Sequence, residues 1–99
     1  MTWQQQIAEA WAQVDSLTDA ELVARVDAAA SEAPDDALAL FERASARDAT
    51  GDEAGAEPFY RAALAGGLDE DHRAQCIIQL ASTVRNLGRP NECVDLLRD

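Results

Sequence analysis

The chain has 99 residues, enough for one domain with a modest core. Nineteen acidic residues against eight arginines, with no lysine, leave a formal net charge of −11. That balance disfavours nucleic acid and anionic membranes as partners and favours solubility.

No apolar leader or spanning run is visible, so a cytoplasmic setting is expected. Much of the apolar content is alanine, prolines are few, and alternating Val, Ile and Thr runs are absent. These features point to close-packed helices rather than a sheet.

A first helix is expected over about Thr2 to Asp15. Trp3, Ile7, Ala10, Trp11 and Val14 share one helical face there. The two tryptophans read either as the core of an N-terminal hairpin or as an exposed anchor for a partner. Thr18-Asp19-Ala20-Glu21 is a capping box, and Leu17 and Leu22 are placed for a hydrophobic staple. The second helix then buries Leu22, Val26, Ala29, Ala30 and Ala33 and stops before Pro34.

A third helix is expected from Asp35 to Thr50, carrying Leu38, Leu40, Phe41 and Ala44 and ending at Gly51. The fourth starts at Asp52, carries Ala56, Phe59, Tyr60, Ala63 and Leu64, and ends at Gly66-Gly67. Pro58 lies beyond its first turn, where it predicts a kink or a loosely helical start. Leu68 is expected to plug the following loop. Asp69 caps a fifth helix that runs to Leu87, with Ile77, Leu80, Ala81 and Val84 inward and Gly88 as its end. Pro90 opens a sixth helix with Cys93, Val94, Leu96 and Leu97.

Helices three to six repeat one pattern. Ala44 and Ala81, Gly51 and Gly88, Ala56 and Cys93, Tyr60 and Leu97, and Arg61 and Arg98 are each 37 residues apart. Self-similarity at such a period marks stacked helical repeats. The predicted architecture is all-α: about six helices in antiparallel pairs forming a short superhelix. Residues 1–34 form an N-terminal hairpin, and 35–99 form two units, about 37–67 and 69–99, the second truncated.

These residues resemble the tetratricopeptide repeat family. The second unit carries Ile77, Leu80-Ala81, Val84, Leu87-Gly88, Cys93 and Leu97. The first carries Leu40, Ala44, Gly51, Ala56, Tyr60 and Ala63-Leu64. Glu57 to Leu64 followed by Gly67-Leu68 looks like a bacterial branch with a longer loop, which accounts for 37 residues where the family usually has ~34. Arg43 and Arg47 depart from the pattern by standing where a large apolar residue is usual. Either they pair with hairpin acids such as Asp27 or Glu32, or the third helix is rotated. Two units are fewer than the roughly three normally needed, so the hairpin is expected to serve as a cap. The short last helix suggests a fragment, or a surface that another chain covers.

The resemblance implies a concave groove, lined by the first helix of each unit, for a peptide or protein partner. The candidate binding residues are Phe41, Ser45, Gln75, Ile78, Gln79, Ser82, Arg85, Asn86 and Arg89. Arg85, Asn86 and Arg89 carry directed donors suited to a carboxylate or peptide backbone, and Phe41 and Ile78 carry apolar contact. The competing reading makes these ordinary surface residues, with Phe41 packed on the hairpin. Self-association through Val94, Leu96 and Leu97 is an alternative function. An enzyme, or a regulatory subunit of one, involving His72, Cys76 or Cys93 is a weaker alternative. His72, Cys76 and Cys93 lack the spacing of a zinc site, and no glycine-rich phosphate loop or calcium loop occurs. No catalytic residue, metal or cofactor is assigned.

Overall fold

The computed structural model describes residues 1–98. These residues form six helices: α1 (Trp3–Ala12), α2 (Asp19–Ala30), α3 (Ala37–Ala49), α4 (Glu53–Ala65), α5 (Glu70–Asn86) and α6 (Pro90–Arg98). No strand occurs among the described residues. Each helix packs on its neighbours in sequence, and α3 also touches α5. The result is an elongated stack of helix pairs, 40 × 26 × 18 Å. None of these helices is long and apolar enough to cross a membrane.

Local chemistry places the helix starts. A helix leaves its first N–H groups without internal partners, so a side-chain acceptor must meet them. Thr18 and Glu21 form the reciprocal box read from the sequence. Thr2 and Gln5 form a second box, which the sequence reading passed over. Asp36, Asp52 and Asp69 cap α3, α4 and α5 through their carboxylates.

The stops follow a matching rule. Gly51 and Gly88 adopt φ of 86° and 88°, and each lets the next residue's N–H reach back to the helix. The Asp52 N–H donates to the Arg47 carbonyl and the Arg89 N–H to the Val84 carbonyl. The 37-residue register is thus a register of backbone geometry.

Several boundaries differ from expectation. α1 ends at Ala12, and Val14 lies in a 3₁₀ turn, 38% exposed, rather than on the buried stripe. The Gln13 N–H is shared between the Glu9 and Ala10 carbonyls, which tightens the end of the helix. α2 stops at Ala30, short of Pro34, and Ala33 is half-buried. α4 is helical from its first turn despite Pro58. Pro58 and Ala54 are both exposed, so the carbonyl that the proline leaves without a donor is on the solvent side. Leu68 is half-buried against the core rather than sealed within it.

The core has two parts that meet at α3. Ile7, Ala10, Leu22, Val26, Ala29 and Ala30 pack with Ala39 and Ala46 of α3. Phe41 and Ala44, from the other side of α3, join Ala56, Tyr60, Ala63, Cys76, Leu80, Ala81, Val84 and Cys93. Small side chains at Ala44, Ala56, Ala81 and Cys93 let the paired helices approach closely.

Polar contacts tie the N-terminal helix pair to the rest. Arg43 Nε and Arg47 Nη1 lie 3.0 and 2.9 Å from Asp27 Oδ1, and Arg47 Nη2 lies 2.8 Å from Oδ2. Both guanidinium groups also stack on the Phe59 ring, at 4.6 and 4.5 Å. The two arginines therefore occupy apolar positions by flattening on an aromatic ring and sharing one carboxylate. Of the two acids considered as their partner, Asp27 takes the role, while Glu32 is exposed.

Candidate partner-binding surface

α1, α3 and α5 meet along one face. The Trp11 Nε1–H of α1 donates to Glu42 Oε2 of α3 at 2.9 Å. The Phe41 ring of α3 meets the His72 ring of α5 edge-on, with centroids 6.0 Å apart. The Tyr60 hydroxyl, rising from α4, donates to Asp48 Oδ2 at 2.7 Å and accepts from Gln79 Nε2 of α5 at 3.2 Å. Burial and the Asp48 carboxylate push the Tyr60 phenol far above its ordinary range, so it stays a neutral donor.

The nine sequence-derived candidates divide unevenly over this face. Gln75, Ile78 and Arg85 are exposed on α5, and Ser45 and Ser82 are half-buried on α3 and α5. Gln79 is half-buried and tied to Tyr60. Phe41 is only 3% exposed, so it belongs to the core and offers no surface to a partner. It is closed over by Tyr60 and His72, not by the hairpin. Asn86 and Arg89 already serve acids of α4: the Asn86 amide donates to Glu53 and Arg89 to Glu57. Arg89 holds the Glu57 carboxyl below the usual carboxylate range. Arg85 has no ion-pair partner among the described residues.

The sequence pattern did not point to a cavity that the structure holds between α1 and α3. A cavity of about 130 Å³ opens between α1 and α3, lined by Trp3, Gln4, Ile7, Ala8, Trp11, Leu38 and Glu42. Both tryptophans are half-buried. Their rings pack on the hairpin core and also wall an open cavity. Their spacing of eight residues was the available signal. Burial pushes the Glu42 carboxyl above the usual range, against the Trp11 hydrogen bond and the nearby His72.

His72 Nδ1 lies 2.6 Å from Asp69 Oδ2, its own helix cap. Cys76 is fully buried, its thiol directed at the Tyr60 carbonyl and pushed up to about 11 by burial, which leaves little thiolate at neutral pH. Cys93 is a free thiol in the core. Among the described residues, no group of three or more His, Cys, Asp or Glu is arranged to hold a metal ion.

A family model described as tetratrico peptide repeat matches residues 37–99, nearly two thirds of the chain. No curated protein and no solved structure matches the chain.

Proposed function

The chain belongs to the tetratricopeptide repeat family, whose members generally mediate protein–protein interaction, and from that premise we propose that it is a non-catalytic binding module. Its partner is a peptide or protein lying along the face of α1, α3 and α5. α1 and α2 act as the N-terminal cap of the two repeats over residues 35–99. The proposed setting is cytoplasmic, and the net charge of −11 disfavours nucleic acid and anionic membranes as partners.

The observation that carries this reading is the apolar cavity between α1 and α3, with Gln75, Ile78 and Arg85 exposed on α5. A concave apolar site beside a few directed polar groups is the general form of a recognition surface. The test is selection from a displayed peptide library, followed by titration of the selected peptides. Ser82→Glu with Arg85→Glu should weaken them at least tenfold without changing the melting temperature. Peptides that bind this variant as well as the wild type would refute the use of this face.

A second reading, self-association, is favoured by one internal comparison. α5 covers Phe41 and Tyr60, which are 3% and 0% exposed. Their partners in register 37 residues on, Ile78 and Leu97, are 62% and 56% exposed, and Val94 beside them is 47% exposed. The second repeat therefore presents uncovered the surface that the first repeat buries. Sedimentation equilibrium tests this. A concentration-dependent dimer that Leu97→Asp abolishes supports it, and a monomer at all concentrations sinks it.

A further inference from the structure

We propose that the cavity between α1 and α3 is a receptor for a lysine side chain presented by the partner peptide. This deepens the binding reading above and rests on it for the identity of the face.

The walls call for a hydrocarbon stem. Ile7, Ala8 and Leu38 supply aliphatic surface, and the Trp3 and Trp11 rings stand on the same helical face. The volume of about 130 Å³ matches the share of liquid occupied by roughly four waters, which is room for one unbranched side chain.

The one charged group in the lining calls for a cation. Glu42 Oε2 accepts the Trp11 indole N–H, while Oε1 accepts no hydrogen bond among the described residues. A neutral aliphatic guest would strip water from that carboxylate and return nothing to it. An acidic guest would be repelled. An ammonium on a four-carbon stem fills the walls, neutralises Oε1 and reaches the electron-rich indole faces. Among the described residues, no cation forms an ion pair with Glu42. Arg43 and Arg47, on the same helix as Glu42, are both committed to Asp27. His72 across the face is held by Asp69.

The chain's two tryptophans both line this cavity, so intrinsic fluorescence reads its occupancy directly. The first probe is n-butylammonium, titrated against 1-butanol as the uncharged match. Saturable binding with at least tenfold preference for the ammonium is expected. Glu42→Gln should abolish that preference, because the amide oxygen still accepts the Trp11 N–H but carries no charge. Ala8→Leu, which grows into the cavity from an exposed position on α1, should abolish binding of both probes. Equal affinities for ammonium and alcohol, or a preference that survives Glu42→Gln, would overturn the proposal. So would binding unaffected by Ala8→Leu.

Peptides selected on the face give the second arm. Replacing their lysine by norleucine should weaken binding at least tenfold on the wild type and hardly at all on Glu42→Gln. A peptide that tolerates norleucine on the wild type also overturns the proposal. If n-butylammonium binds selectively but no peptide maps to this face, the cavity assignment stands and the wider binding reading fails.

Discussion

Asp27→Asn separates the charge at the junction of α2 and α3 from its shape. The carboxylate accepts three hydrogen bonds from Arg43 and Arg47 at 2.8–3.0 Å. An exposed ion pair contributes about 0.2–1 kcal/mol, and breaking a buried one costs about 3–5. These side chains are 15–27% exposed, which places them between the limits. The asparagine oxygen still accepts one bond, while its amide group faces a guanidinium that the Phe59 ring holds in place. A loss of about 2 kcal/mol at pH 7 follows, or about 8–16 °C in melting temperature for a domain of this size.

The pH dependence supplies an independent check. Burial raises the Asp27 pKa, but the bonds and charges of Arg47 and Arg43 outweigh it, and the net shift is below 3.8. A depressed carboxylate stabilises the fold above its unfolded pKa and loses that contribution as pH falls through its folded one. The wild type and Asp27→Asn should therefore differ fully above about pH 5 and converge well below pH 3.8. Urea melts across that range measure the difference. A gap under about 0.5 kcal/mol at pH 7, or one that is independent of pH, would refute the claim that this cluster docks the N-terminal pair.

Three further outcomes are expected. Ala81→Leu overpacks a position 1% exposed at a close helix contact and should cost about 1–3 kcal/mol in a denaturant melt; no measurable cost would mean that the contact is slack. Gly51→Ala places a Cβ in open space but holds alanine at φ near 86°, so it should cost about 1–2 kcal/mol, all of it backbone strain, as read by thermal melting. The Cys76 thiol, buried and raised to about 11, should react with a thiol reagent on the order of 100-fold more slowly in the native protein than in urea; equal rates would mean that the second repeat opens freely.

Much of the architecture was legible in the chain because its causes are short-ranged. An unpaired N–H at a helix start must be met within three residues, so Thr18 with Glu21, and Asp52 and Asp69, mark their helices unaided. A left-handed stop needs glycine, so Gly51 and Gly88 mark the ends and show the 37-residue register. Asp27 was within reach of reasoning too, because two arginines at apolar positions require a carboxylate partner close by.

Exposure was not legible, because it depends on which distant helix arrives. Phe41 and Ile78 occupy equivalent positions in the register, yet one is core and the other surface, since α5 lies over the first and none of the described residues covers the second. Asn86 and Arg89 read as free donors until α4 brings Glu53 and Glu57 against them. The cavity of Trp3, Trp11 and Glu42 exists only where α1 and α3 fail to close completely, a gap between elements about thirty residues apart. The sequence by itself determined where helices begin, end and repeat, through contacts a few residues long. Tertiary structure alone decided which side chains remain available to a partner, because accessibility belongs to the packing of whole helices.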